Sequence, residues 1–258
     1  MTPAVMCEDL WKTFQRHRAI GVKSLLLGAD TPKETRFARE WALSEVSFEV
    51  PHGCSFGVVG PNGSGKTTLL SILLGTVQED RGRVSLNGRV ASLLELGAGF
   101  HGDLTGHENV YLYGSILGMR LAEVRQRFDR IAEFSELEGA IDTPLRTYSA
   151  GMVARLGFST IINSPADILL IDEVLAVGDA RFQAKCHQAL REFRARQGTL
   201  VIVSHNTKEL TEVCDEGICL EMGRVVDAGP IAGVVARYRQ RAATAGPGGH
   251  AGGAIGNR

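Results

Sequence analysis

Short, almost entirely apolar runs alternate with amphipathic stretches along most of this chain. The apolar runs cover residues 54–59, 168–171 and 200–203, and runs of this kind are typical of central parallel strands that are covered on both faces. Helical spacing of apolar positions follows at residues 66–74 and 180–196. This alternation predicts an α/β fold with a mostly parallel sheet.

Strand patterns near the start of the chain differ from these central runs. Residues 5–14 and 43–50 predict two strands, the second with polar and apolar positions alternating over 46–50. We assign them to an N-terminal antiparallel β part of the fold.

The last part of the chain predicts a hairpin, a helix and a tail. Residues 216–220 and 224–227 form the hairpin, which turns at Gly223, and residues 230–241 form a helix with proline in its first turn. Residues 242–258 are rich in Gly and Ala and lack apolar periodicity, so we expect a flexible tail.

A different pattern lies between the two halves of the predicted α/β core. Residues 108–119, 122–134 and 149–163 all have helical spacing, which is broken near 139–144. We therefore predict a helical subdomain, inserted into the core over about residues 100–163.

Residues 15–42 form a long N-terminal insertion between the first two predicted strands. The segment has six basic and three acidic residues, a formal charge of +3, and an apolar stretch at 22–28. Joining two strands does not require a connection of this length. A functional insertion and a solvated loop with one buried anchor both remain open.

The composition of the 258 residues is 44% hydrophobic and 22% charged, with a formal net charge of −1. These values are typical of a globular protein. The charge gives no global field that would attract nucleic acid, so we expect no nucleic-acid partner. No run of 18 apolar residues predicts a membrane-spanning helix, and no export signal is apparent at the N-terminus.

The most informative motif is a glycine-rich loop between a predicted strand and a predicted helix. Its residues are Gly60, Pro61, Asn62, Gly63, Ser64, Gly65, Lys66, Thr67 and Thr68. This spacing and context are those of the phosphate-binding loop, in which backbone N–H groups and a helix N-terminus hold phosphates. We predict that Lys66 reaches the β- and γ-phosphates and that Thr67 ligates Mg²⁺.

A second motif delivers two acidic residues at the end of the apolar run 168–171. Ligands bind at the carboxyl ends of strands in open α/β sheets. Asp172 is predicted to hold Mg²⁺, and Glu173 to orient or deprotonate the attacking water. Acids after a strand also serve as helix caps, but the phosphate-binding loop favours the catalytic interpretation.

Two further positions are ambiguous from their residue types alone. His205 ends the apolar run 200–203, where a histidine is more often structural. Ser149 precedes a predicted helix, where it would serve as an ordinary N-cap.

Taken in order, these elements resemble the nucleotide-binding subunit of ATP-binding cassette transporters. The resemblance covers about residues 5–240 and implies one ATPase domain over 1–241 that uses ATP and Mg²⁺. It implies that His205 is the switch histidine at the γ-phosphate and that Asp179 belongs to a loop crossing a dimer interface.

The resemblance also implies a head-to-tail homodimer with ATP between the two copies. Ser149, Gly151 and Met152 match the signature motif, which caps the γ-phosphate bound by the other copy. Phe14 is the best candidate for the aromatic that stacks on adenine, and Trp11 is the second; either residue alternatively belongs to the core.

The chain departs from the family pattern at two places. Ala150 and Met152 stand where the signature usually has glycine and glutamine. The glutamine expected after the strand near residues 89–94 is missing, and Glu95 or Leu96 occupies its position. If Glu95 replaces the glutamine, its carboxylate would approach Mg²⁺ or the attacking water.

Four stretches look like the polysaccharide exporters of this family. They lie at residues 93–100, 148–152, 172–179 and 182–186, and the Leu-Gly pair at 27–28 resembles an element of the N-terminal insertion in that branch. The chain ends too early for the carbohydrate-binding domain of the longer members, so we do not expect one.

The resemblance thus implies an ATPase that drives export of a lipid-linked polysaccharide of the O-antigen, capsule or teichoic-acid type. Its partner would be a separate membrane permease, and its location the cytoplasmic face of the inner (plasma) membrane, where the permease holds it. Export of a drug or lipid is the alternative, and a cassette ATPase without a permease is a less favoured one.

Overall fold

The structure is a computed structural model, and it describes residues 2–15, 39–94, 99–172 and 178–244. Several predicted features lie outside these ranges. They are Glu95, Leu96, Glu173, most of the insertion 15–42 with its Leu-Gly pair, and the last fourteen residues of the predicted tail.

The N-terminal part forms a three-stranded antiparallel sheet. Strands β1 (Val5–Gln15), β2 (Arg39–Val50) and β4 (Arg81–Leu86) lie in the order β2-β1-β4. In the register, Val5 pairs with Val50 on one side and with Leu86 on the other. The predicted antiparallel part is therefore confirmed, and it includes a third strand, β4.

A second sheet has six strands in the order β5-β6-β7-β3-β8-β9. All of its pairings are parallel except the hairpin of β8 with β9. The strands are β3 (Ser55–Val59), β5 (Val90–Ser92), β6 (Ile168–Asp172), β7 (Thr199–Val203), β8 (Glu216–Glu221) and β9 (Arg224–Pro230). This arrangement confirms the predicted mostly parallel core.

Seven α-helices and one short 3₁₀ turn, Leu145–Thr147, occur in the described ranges. Numbered α1 to α7, the helices are Lys66–Leu73, Gly106–Ile116, Leu121–Ser135, Ala150–Ile162, Ala180–Ala195, Thr207–Val213 and Ile231–Thr244. Among them we find no candidate for a membrane span, since none combines enough length with enough hydrophobicity.

Alternate residues of the parallel strands enter two different hydrophobic clusters. In β7, Leu200 and Ile202 join the cluster that contains aromatic residues of α4 and α5, whereas Val201 and Val203 join the cluster beneath α1 and the antiparallel sheet. Side chains of a strand point alternately to opposite faces. The continuously apolar run therefore reflects a sheet that is covered on both sides.

Helices α2, α3 and α4 share a third hydrophobic cluster. Val110 of α2, Val124 and Ile131 of α3, and Leu156 of α4 are all fully buried in it. The middle of the chain thus has a core of its own, in the region where we predicted the helical subdomain.

Several predicted boundaries differ from the structure by a few residues. Pro230 is not in the first helical turn but ends β9, where it pairs with Glu216. The last helix, α7, begins directly after it at Ile231 and extends to Thr244, three residues into the predicted tail. Helix α6 was not predicted, because its seven residues are too few to show a periodic pattern.

Candidate functional site

The carboxyl ends of three neighbouring parallel strands meet at one edge of the six-stranded sheet. Val58 of β3 pairs with Val203 of β7, and Val203 pairs with Asp172 of β6. The phosphate-binding loop follows β3, and His205 follows β7. The register therefore brings together the loop, Asp172 and the histidine segment, as their positions after apolar runs suggested.

Two glycines of the loop are required by close packing against other backbone segments. A side chain at Gly60 would collide with the carbonyl oxygen of Leu220, and one at Gly65 with that of Ala42. Gly65 also has a φ of 104°, in the left-handed region that favours glycine. Close contact with β2 and β8 thus fixes the course of the loop.

Helix α1 begins at Lys66 without a side-chain cap, because its N-cap residue is Gly65. The first N–H groups of a helix have no partner within the helix, and together with the helix dipole they favour an anion. The side chain of Lys66 is buried, and its Nζ donates to the carbonyl oxygens of Gly60 and Pro61 at 2.8 and 2.9 Å.

A cavity of about 390 Å³ lies in front of this helix end. It is lined by Ala42, Asn62, Gly63, Gly65, Lys66, Thr67, Thr68 and Asp172. One ammonium, two hydroxyls, one carboxylate and the loop backbone therefore face a common space. This donor set fits a polyphosphate together with a hard cation such as Mg²⁺, which prefers oxygen ligands.

Polar contacts organise the segment that contains His205. His205 itself is exposed, and the neighbouring Asn206 caps α6 by accepting from the backbone N–H groups of Lys208 and Glu209. The buried Ser204 donates from Oγ to the Glu209 carboxylate at 3.5 Å. Burial raises the pKa of Glu209 above its usual range.

The predicted signature residues lie at the start of α4, away from this cavity. Ser149 is exposed and caps the helix, since its Oγ accepts from the N–H of Met152 at 3.2 Å. The space around Gly151 is open, since a Cβ added to it would come no closer than 3.8 Å to Ser149 Oγ. Ser149, Gly151 and Met152 are not among the residues that line the cavity at Lys66.

Asp179 holds two structural contacts within the chain. Its Oδ1 caps α5 by accepting from the N–H of Phe182 at 2.9 Å, and its Oδ2 accepts from Arg155 Nη2 at 2.8 Å. The cap and, secondarily, the guanidinium lower the pKa of Asp179. Arg155 therefore links α4 to the start of α5, a contact that we did not predict.

Three aromatic side chains lie on the antiparallel sheet, which also contributes Ala42 to the cavity lining. Phe14 is 46% exposed, with Lys12 Nζ 5.6 Å from its ring centroid. Trp11 packs edge-on against Trp41 at 4.8 Å and donates from its indole to Asp9. Trp41 is 43% exposed and directly precedes Ala42, which lines the cavity. Trp41 was not among the aromatic candidates that we named from the sequence.

A protein-family model described as ABC transporter matches residues 43–176, about half of the chain. The chain is 45% identical to an O-antigen export system ATP-binding protein RfbB of Klebsiella pneumoniae over 243 residues, which are 93% of this chain and 99% of that protein. The chain belongs to the ABC transporter family.

The chain is also similar to a teichoic acids export protein and to a solved structure. This ABC ATPase is 40% identical to the teichoic acids export ATP-binding protein TagH of Lactococcus lactis subsp. lactis, over 92% of the chain and 50% of TagH. A solved ATP-binding subunit of an ABC transporter superposes with a TM-score of 0.73 at 20% identity, covering 92% of this chain and 94% of that one. This likeness confirms the fold.

Proposed function

We propose that this chain is the ATP-hydrolysing subunit of an ABC transporter that exports a lipid-linked polysaccharide of the O-antigen, capsule or teichoic-acid type. The observation that carries the proposal is the 45% identity to an O-antigen export protein along 99% of that protein's length. Relatives named for teichoic acid export support the same class of cargo.

The cavity at the start of α1 is where we expect Mg²⁺ and ATP to bind. Lys66 and the backbone donors of residues 60–68 would hold the phosphates, while Thr67 and Asp172 would hold the metal ion. When bound, Mg²⁺ would neutralise charge on the phosphates. The support for this assignment is that Lys66, Thr67 and Asp172 line one cavity.

Glu173 and His205 are the proposed catalytic residues. Glu173 follows Asp172 directly and would orient or deprotonate the attacking water. His205 follows the neighbouring strand at the same sheet edge and would contact the γ-phosphate. Glu95 would take the place of the missing glutamine and contact Mg²⁺ or the attacking water.

We propose that Ser149, Gly151 and Met152 act on the nucleotide held by a second copy of the chain. Two observations support this role: the three residues do not line the cavity of their own chain, and Ser149 and Ala150 are exposed. Asp179, which is tied to α4 through Arg155, would then lie in the loop at the dimer interface. A homologous fold has been solved as a dimer with ADP and Pi, the ATP-binding cassette MJ0796.

The adenine ring would stack on an aromatic side chain of the antiparallel sheet. Phe14 and Trp11 remain candidates, and we add Trp41 because it is 43% exposed on the same sheet. Trp11 is the least suited of the three, since its indole already contacts Asp9 and Trp41.

The transport partner would be a separate permease, which holds this subunit at the cytoplasmic face of the inner membrane. Exposed apolar side chains on the helical part of the chain support a docking surface there. They are Leu112 and Ile116 on α2 and Leu121 at the start of α3. A permease segment that docks on these helices would move with the signature residues at the start of α4.

Glu173→Gln tests the catalytic part of the proposal. The variant should bind ATP with unchanged affinity, hydrolyse it at least about 100-fold more slowly and accumulate as a dimer in ATP, because binding groups are kept and the base is removed. Glu133→Gln on α3 is the matched control. Hydrolysis near the wild-type rate in Glu173→Gln would remove Glu173 from its role.

Deletion of the gene in its own host tests the cargo. Surface polysaccharide should be lost while lipid-linked polymer accumulates inside the cell, and the wild-type gene, unlike the Glu173→Gln gene, should restore export. Unchanged surface polysaccharide together with normal ATP hydrolysis by the purified protein would reject the cargo and keep the ATPase assignment.

A further inference from the structure

A second and larger cavity, of about 660 Å³, lies at the opposite edge of the six-stranded sheet. The loops that line it lead into the amino ends of β6 and β7, whereas the phosphate-binding loop follows the carboxyl end of the parallel strand β3. We call it the arginine cleft. It is lined by Gln126, Arg127, Arg130, Asn163, Ser164, Pro165, Ala166, Asp167, Phe193, Arg196, Gln197 and Gly198.

The residues that line the arginine cleft have a formal charge of +2, in a chain whose net charge is −1. Arg127, Arg130 and Arg196 contribute three guanidinium groups, against the single carboxylate of Asp167. That carboxylate is already used, since its Oδ2 accepts from the backbone N–H of Arg89 at 2.8 Å. The local excess of positive charge would attract an anion.

Little in the described part of the chain neutralises these guanidiniums. Arg127 and Arg196 make long contacts, each 3.4 Å, with backbone carbonyl oxygens, and none of the three arginines forms an ion pair with a described carboxylate. The Arg196 guanidinium lies 5.0 Å from the ring centroid of Phe193, which restrains its position. Guanidinium donors therefore remain available at the cleft.

We propose that the arginine cleft binds a phosphate-bearing anion with at least two negative charges, such as a diphosphate or a phosphate monoester. Guanidinium groups match phosphate geometry through paired donors, and three of them from two different helices surround the cleft. The amides of Gln126, Asn163 and Gln197 would contact the uncharged part of such a ligand.

An occupant of the cleft would bridge two parts of the structure. Arg127 and Arg130 belong to α3 in the helical part, whereas Arg196 caps the carboxyl end of α5 in the α/β core. A bound anion would therefore restrain α3 relative to the core, at a distance from the nucleotide cavity and independently of the export proposal.

Calorimetric titration with inorganic pyrophosphate tests the proposal, with ADP at saturating concentration to fill the cavity at Lys66. The test variant is Arg130→Gln with Arg196→Gln. The matched control, Arg83→Gln with Arg125→Gln, removes the same charge from exposed positions outside the cleft. We expect the test variant to bind about tenfold or more weakly and the control within about twofold of wild type.

Co-sedimentation with vesicles containing phosphatidic acid distinguishes a lipid headgroup from a soluble ligand. Binding of pyrophosphate that depends on Arg130 and Arg196 assigns a soluble phosphate compound, while vesicle binding alone with the same dependence assigns a headgroup. Equal losses in test and control variants, or no binding in either experiment, would overturn the proposal. Thermal unfolding of the test and control variants checks that a loss of binding does not come from misfolding.

Discussion

Two helix N-termini carry the proposed nucleotide contacts, and they differ in whether a side chain caps the first turn. Helix α1 starts after Gly65 with no side-chain cap, and a cavity lies in front of it. Helix α4 is capped by Ser149, whose Oγ accepts from Met152 N–H, and Ser149 and Ala150 are exposed.

The difference indicates how each end meets a phosphate. At α1, no side chain caps the first turn, and a helix end of this kind favours an anion through its N–H groups and its dipole. At α4, one donor is already satisfied by serine, so a phosphate would add to a helix end that is stable without it. We therefore expect α1 to dominate affinity and α4 to act on the nucleotide only when another surface presents it.

Lys66→Ala should have the largest effect at the α1 end. ATP affinity should fall by about 100-fold or more, because a charged donor is lost from the cavity where we propose that the phosphates bind. Titration with ATP measures the loss. Lys208→Ala removes an exposed lysine from α6 and should leave affinity unchanged. Equal affinity in Lys66→Ala and wild type would contradict the loop assignment.

Gly65→Ala tests whether the backbone course of the loop matters beyond its donors. The alanine must adopt a φ of 104° and also collides with the Ala42 carbonyl, so ATP affinity should fall by roughly thirtyfold. Gly118→Ala is the control, because Gly118 has a φ of 76° with open space around it. Both variants should unfold at lower temperature, but only Gly65→Ala should lose affinity.

Trp41→Ala tests which aromatic side chain stacks on the adenine ring. Loss of one base–aromatic stack costs about 1–3 kcal/mol, so ATP affinity should fall by about tenfold. Phe14→Ala is the paired variant, since Phe14 is equally exposed on the same sheet. If ATP affinity falls in Phe14→Ala alone, the adenine contact belongs to Phe14, as the sequence suggested, and not to Trp41.

Ser149→Ala should have the smallest effect of these variants. Its free energy of unfolding should fall by about 1 kcal/mol, because the cap of α4 is lost. Thr105→Ala removes the cap of α2, a capping box with Glu108, and should cost a similar amount. Thermal unfolding and ATP hydrolysis are measured on both. The rate of ATP hydrolysis should fall only in Ser149→Ala. If both variants hydrolyse ATP at the wild-type rate, the α4 end is not part of the site.

Patterns that depend on neighbours in sequence were predicted well. The continuous apolar runs at β3, β6 and β7 gave the parallel core, and the spacing from Gly60 to Thr68 gave the loop and the helix after it. Contacts between distant segments were not predictable in this way. The contact between Trp11 and Trp41, the Arg155 link to Asp179 and the arginine cleft all join residues from separate elements.

The sequence by itself determined the local chemistry of this ABC ATPase: a loop with glycine where the backbone turns, a lysine and threonines at the helix start, and acids after a strand. The tertiary structure alone decided which of these groups share a space, because strand order and register bring Asp172 to the cavity at Lys66 and leave Ser149 outside it. Spacing along a chain fixes what one segment does, whereas pairing between segments sets which groups meet.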